Sequence, residues 1–326
     1  MFRSRPSVRH RSALLGALAA LAVLLAACGS DDAASTATPA TPATAVATEA
    51  GPLPLFPLTI ADSGGHSITL EAAPQRIVSH SPAVTEVLFA IGAGDRVIAV
   101  DEFSNYPEAA VALQQVRYSD PDPEQAVALE PDLVIFAGRQ QGSIEAFRAL
   151  GLPVFFNEEP ATIEDVLTNV MLIGRLVGEQ EAAEVLVAEM RGRIDAIARR
   201  VSDVTEGPTV FYELTDGLYT VGPDSFIGGM LTLLKARNIA EGADSAFPQL
   251  TAEVVVERNP EVILLADGDF GVTLETLKKR PGWSKIAAVE SGRVVAVDPD
   301  ISSRPGPRIV DALEAFAKAL YPDRFQ

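Results

Sequence analysis

QEAAEVLVAEMRGRIDAIARRV, residues Gln180–Val201, is the stretch on which the architecture turns. Ala182, Val185, Leu186, Met190, Ile194 and Ile197 recur at helical spacing, which predicts an amphipathic helix. At the rise of an α-helix it measures about 33 Å, long enough to cross from one lobe of a protein to another. A second helical pattern begins at residue 163, and the two are broken near Gly178. Short apolar, β-rich runs alternate with helical patterns on both sides, as in α/β proteins with parallel strands. Upstream the candidate strands are Arg76–Ser79, Val97–Val100, Leu133–Phe136 and Val154–Phe156. Downstream they are Thr209–Leu214, Tyr219–Val221, Val262–Leu265 and Val294–Val297, closed by an amphipathic helix over Arg308–Leu320. The expected fold is α/β: two Rossmann-like lobes joined by a single long helix, with a ligand cleft between them.

An internal echo supports two related lobes. Glu124 lies seven residues before Pro131, which leads into Asp-Leu-Val-Ile-Phe136; Glu253 lies seven before Pro260, which leads into Glu-Val-Ile-Leu-Leu265. A second echo pairs Gly94–Asp101 with Gly292–Asp298, before the Glu unit in one lobe and after it in the other. The lobes are cousins rather than tandem copies.

The chain of 326 residues is 48% hydrophobic and 21% charged, enough to bury one large core or two medium ones. Its first 27 residues hold Arg3, Arg5, Arg9 and Arg11 and no acid, followed by an apolar run from Ala13 to Ala27. That run is short for a membrane span and predicts an export signal over residues 1–27. Removing it makes the formal charge of −18 four units more negative. Such a surface repels phosphate backbones and anionic headgroups, which argues against nucleic-acid binding and against direct adsorption to membrane. Leu25-Ala-Ala-Cys28-Gly29 resembles a bacterial lipobox, which implies a diacylglyceryl thioether on Cys28 and an extracytoplasmic protein held to the membrane through its lipid alone. Cys28 is the only cysteine, so no disulfide can form. Residues 28–56, rich in Ala, Thr and Pro, lack the bulky apolar side chains that offset chain entropy and predict a disordered tether. Beyond it the expected organisation is an N-terminal lobe over 57–160, a helical stretch over 161–203 and a C-terminal lobe over 204–326.

Enzyme signatures are absent: there is no phosphate-binding P-loop, no Gly-x-Ser-x-Gly elbow and no His-Glu-x-x-His helix. With His66 and His80 the only histidines after the signal, capture of bare zinc is poorly served. Acids are plentiful, so a two-carboxylate hydrolase stays open by count alone, although no pair of them is marked by its context.

Pro74–Asp101 (PQRIVSHSPAVTEVLFAIGAGDRVIAVD) is similar to the opening of the ABC-importer binding proteins for cobalamin, ferric siderophores and haem. Asn105-Tyr-Pro107, Pro131–Ile135, Tyr219–Phe226 and Arg304-Pro-Gly-Pro-Arg308 extend the resemblance, in order, over about residues 57–322. It implies a monomeric carrier that delivers a metal chelate to a permease dimer with its ATPase subunits. It implies that Glu124 and Glu253 pair with permease arginines, although each also suits a first helical turn, where the dipole favours an acid. It places Phe103, Tyr118, Tyr219 and Phe247 against a macrocycle and His80 and Ser81 in the first cleft turn, and it favours a corrinoid over a ferric siderophore or haem. Tyr118 or His80 would ligate the metal of a haem or a corrin, His80 alternatively being a turn residue bonded to backbone. Arg304 would anchor an amide, a propionate or a carboxylate, or else pair with Asp300 or Asp298. Relatives that bind cobalamin often use tryptophans here; this chain has only Trp283, expected away from the cleft, and Ala137 where another aromatic is expected.

Overall fold

A computed structural model describes residues 55–325. The expected signal, Cys28 and nearly all of the expected tether lie outside the described residues. The described chain opens with a hairpin, β1 (Leu58–Ala61) against β2 (Ser67–Leu70).

The first lobe is built on β3 (Ile77–His80), helix α1 (Pro82–Ala90), β4 (Val97–Asp101), α2 (Glu108–Val111), β5 (Gln114–Val116), α3 (Pro123–Ala128), β6 (Leu133–Gly138), α4 (Gln141–Ala149) and β7 (Val154–Glu158). All five sheet strands are parallel, in the order β5-β4-β3-β6-β7. The central strands are buried on both faces, which is why they read as unbroken apolar runs in the sequence. The chain winds outward from β3 in one direction and then, through β6, in the other. The crevice at the carboxyl ends of β3 and β6 is therefore the topological switch point, where open α/β sheets place their ligands.

Two helices then leave the first lobe. In α5 (Ile163–Val177), Thr162 and Asp165 form a reciprocal capping box, and Gly178 ends the helix at φ +79°, a conformation that costs glycine little. The longer α6 (Gln180–Arg200) follows at once, as the 180–201 pattern predicts. The two pack so closely that a methyl at Gly174 would sit 2.3 Å from the Ala183 Cβ. Val166, Val170 and Ile173 of α5 and Met190, Ile194 and Ile197 of α6 belong to one apolar cluster that also takes in Val84 and Leu88 of the first lobe and Tyr212 and Phe316 of the second. The lobes thus share a core, which stiffens the connection beyond what one helix would supply.

The second lobe comprises β8 (Thr209–Glu213), α7 (Phe226–Leu233), β9 (Arg237–Asn238), α8 (Ala252–Arg258), β10 (Val262–Leu265), α9 (Leu274–Leu277), α10 (Ala287–Ser291), β11 (Val294–Ala296), α11 (Pro299–Ser302) and α12 (Ile309–Leu320). Its four parallel strands run β11-β10-β8-β9. One expected strand does not form. Tyr219–Val221 makes a single bridge, Tyr219 to Gln249, and bonds irregularly to the 246–250 loop. Pro248 and Pro223 flank this contact and have no N–H to extend a ladder.

Candidate functional site

A cavity of about 300 Å³ opens at the switch point of the first lobe. Every strand of that sheet feeds it: Ser81 and Pro82 follow β3, Phe103 follows β4, Tyr118 follows β5, Ala137 and Gly138 end β6, and Asn157, Glu158 and Glu159 end or follow β7. Val84 and Val87 of α1 with Val170 and Ile173 of α5 make an apolar floor. The second lobe contributes the segment from Pro299 to Pro305.

The aromatic rim comes from a braced loop. Phe103, half-exposed, meets the partly buried Tyr118 edge-to-face, with centroids 5.6 Å apart. Behind it, the Ser104 hydroxyl donates to Asp101 Oδ2 at 2.5 Å, Asp101 Oδ1 accepts the Phe103 N–H at 2.9 Å, and Thr85 Oγ1 donates to Ser79 Oγ. Burial pushes the Asp101 carboxyl up to about 6. Burial, with Glu159 and Asp101 nearby, raises the Tyr118 hydroxyl, so the phenol keeps its proton at neutral pH.

His80 lies elsewhere than expected. Strand alternation sends Ser79 towards α1 and His80 to the opposite face, where the imidazole stacks on Phe136 at 4.3 Å and meets Phe147 edge-on. The residue is 1% exposed, neither ring nitrogen has a hydrogen-bond partner, and burial lowers its pKa to about 4. It is a neutral core side chain and does not line the cavity; both the cleft-turn and the metal-ligand expectations for it are corrected. The backbone of Arg117 is the polar group near the ring and partly offsets the effect of burial.

Arg304 does line the cavity, but its guanidinium is engaged. It donates to Asp300 Oδ1 at 2.5 Å and Asn105 Oδ1 at 2.7 Å and lies 3.8 Å from Glu86. Glu86, 3% exposed on α1, accepts from Arg308 at 2.6 and 3.0 Å, and Arg308 covers the Tyr106 ring. The Arg304–Arg308 motif thus latches the second lobe to the first. Tyr219 and Phe247 are not among the cavity residues: Tyr219 is half-exposed on its isolated bridge, and Phe247 lies beneath Arg139 at 4.5 Å, a contact between the lobes. Trp283 is fully buried in the second lobe beside Phe211 and Arg280.

Glu124 and Glu253 occupy equivalent places. Each is exposed in the first turn of the helix that leads into β6 or β10, behind a capping Asp122 or Thr251. Hydrogen bonds from backbone N–H and Thr251 hold the Glu253 carboxyl below its ordinary range.

Sequence reasoning missed Asn157, Glu158, Glu159 and Asn169 of the cavity wall. The available signal was a polar run, Asn157-Glu-Glu, directly after the apolar Val154-Phe-Phe. Among the described residues, no group of three or more His, Cys, Asp or Glu side chains is placed to hold a metal ion, and no helix is long and apolar enough to cross a membrane.

The model of the periplasmic binding protein family matches residues 77–301. An uncharacterized ABC transporter substrate-binding lipoprotein of Bacillus subtilis is 32% identical over 83% of this chain and 88% of its own length. A cobalamin-binding protein of Halobacterium salinarum is 33% identical over 82% of this chain and 74% of its own. Among solved structures, the periplasmic heme-binding protein RhuT from Roseiflexus, in apo form, superposes with a TM-score of 0.69 at 26% identity, over 77% of this chain and 99% of that one.

Proposed function

Because the chain belongs to the periplasmic binding protein family and is the substrate-binding component of an ABC importer, we propose that its cargo is a corrinoid. The observation that carries this reading is the charge of the cavity wall. Glu158, Glu159 and Asp300 face Arg304, whose guanidinium is already held by Asp300 and Asn105. Among the described residues that line the cavity Arg304 is the only cation, with Arg139 set back beside Glu159, so an anionic chelate, whether a haem with its propionates or a carboxylate siderophore, would meet a wall in which acids prevail. A macrocycle with an apolar edge and neutral amides suits the valine and isoleucine floor and the Phe103–Tyr118 rim, where flat rings bury area at low entropic cost. The relative named for cobalamin binding supports the same choice. The cavity accepts one edge of such a ligand, the rest extending along the cleft towards Tyr219 and Phe247. Haem is the second reading, favoured by one feature: Tyr118 is a phenol in the cavity wall, and a bound ferric ion would displace its proton.

In this reading the protein is a carrier without turnover, anchored outside the membrane through Cys28 and the 28–56 tether, and Glu124 and Glu253 meet arginines of the permease dimer. The test is calorimetric and visible-absorbance titration of the soluble chain from residue 53 onward with cyanocobalamin, haemin and a panel of ferric siderophores. Submicromolar binding of cyanocobalamin alone is expected. A haemin charge-transfer band that disappears in Tyr118→Phe, without cyanocobalamin binding, would overturn the corrinoid assignment and leave the importer role intact.

A further inference from the structure

We propose that the recess beside the main cavity is a carboxamide-reading side pocket, in which Asn157, Asn169 and Glu159 accept a neutral primary amide from the ligand rim and reject the corresponding carboxylate. The recess, of about 370 Å³, shares Asn157, Glu158, Glu159, Pro160 and Asn169 with the cavity, so the two are continuous.

Asn157 is the first observation. It sits on β7, where its backbone pairs with Ala137, and its place in the alternation puts it on the same face as Phe155, towards α5. The residue is 4% exposed, yet its side-chain amide makes no hydrogen bond to any described residue while lining both spaces. Its amide nitrogen and oxygen are not sealed from solvent but open onto the recess, where their donors and acceptor are free for a ligand. Across the recess, Asn169 on α5 presents a second side-chain amide, also without a side-chain hydrogen bond to the described residues.

Glu159 is the second. It follows β7 in the same wall, and a Cβ at Gly138, which has φ +73°, would lie 2.9 Å from its carboxylate oxygen; the missing side chain makes room for the acid. Burial raises the Glu159 carboxyl, an effect opposed by Arg139. Two Asn amides offer both donors and acceptors, and a carboxylate only accepts. A ligand amide can donate its N–H groups to Glu159 and an Asn carbonyl while its oxygen accepts from an Asn NH₂. A ligand carboxylate could accept from the Asn NH₂ groups but has no hydrogen to give Glu159, and it would add a negative charge beside Glu158 and Glu159.

This inference rests on the corrinoid reading, since corrins carry amides around their rim. The test uses cyanocobalamin and the monocarboxylic acids in which one of its six side-chain primary amides is hydrolysed, titrated calorimetrically at pH 7.5 into the soluble chain. At least one acid should bind about 10-fold or more weakly than the parent, the range expected when a charged partner is mismatched. Glu159→Gln, at a partly exposed loop position, should shrink that discrimination to within about 3-fold by removing the repelling charge. Asn157→Leu should weaken cyanocobalamin itself about 10-fold, as should the milder helix-surface change Asn169→Leu, with circular dichroism confirming the fold of each. Equal affinity for the parent and all six acids would overturn the side pocket and leave the ligand assignment standing. Absence of cyanocobalamin binding by the unaltered chain would overturn the ligand assignment, and the side pocket with it.

Discussion

Replacing Glu86 with methionine removes the centre of the latch between the lobes. Its carboxylate is nearly inaccessible and bonds twice to Arg308, at 2.6 and 3.0 Å, with Arg304 3.8 Å away. Arg304 keeps Asp300 and Asn105 after the change, but Arg308 loses its carboxylate partner while remaining mostly buried. Removing one member of a buried pair costs about 3 kcal/mol, chiefly through the stranded charge. For a folded unit of this size about 2 °C follows from each kcal/mol, so the thermal midpoint should fall by about 6 °C. Arg308→Met should cost a similar amount by stranding Glu86. The double change should lose less than either single change, because apolar side chains of similar volume carry no desolvation penalty, giving a coupling of more than about 3 kcal/mol in a double-mutant cycle. Differential scanning calorimetry of the four proteins decides the matter. Additive losses, or single changes that move the midpoint by less than about 1 °C, would refute the latch.

His80 predicts a pH dependence. Unfolded, its imidazole takes up a proton as pH falls below about 6.5; folded, it resists until about 4, so acidification across that window favours the unfolded chain. The loss attributable to His80 approaches about 3 kcal/mol at pH 4. Asp101 and Glu213, raised to about 6 and about 7, act in the opposite direction, so the His80 effect is to be read as the difference in urea unfolding between His80→Leu and the unaltered chain, which should widen in favour of His80→Leu below pH 6.5. A pH-independent difference would count against the buried, neutral imidazole. Phe103→Ala should weaken the ligand about 10-fold and leave the thermal midpoint unchanged, since the ring is half-exposed. Glu124→Lys combined with Glu253→Lys should abolish uptake in cells while calorimetric affinity persists; retained uptake would exclude docking through these acids.

The features legible in the sequence are those that burial writes plainly. The strands β3, β4, β6, β7, β8 and β10 are apolar because both faces are covered, and α6 follows its amphipathic stripe. The missed elements lie where burial is partial or absent. In β5, Gln114 and Gln115 are exposed at the sheet edge, and β9 spans two residues. Tyr219–Val221 carries a strand-like composition, but prolines in the neighbouring chain deny it a ladder. At the site, aromatic composition singled out Phe103 and Tyr118, which line the cavity where two strand ends converge, but could not reveal that Tyr219 and Phe247 stand outside it. His80 was misplaced by a single step of alternation, because a strand that runs one residue further than expected turns its last side chain to the other face. Asn157 and Glu159 carried no motif; only their position at the end of a buried strand distinguishes them.

The close approach of α5 and α6 at Gly174 and Ala183 has a consequence for how such proteins diversify. The two linking helices meet there with no room for one more carbon atom, away from the strand-end loops that line the cavity. A side chain at Gly174 would force α5 and α6 apart, whereas substitutions in those loops leave that contact untouched. Changes at the cavity and changes at the helix contact therefore fall on separate residues of the chain.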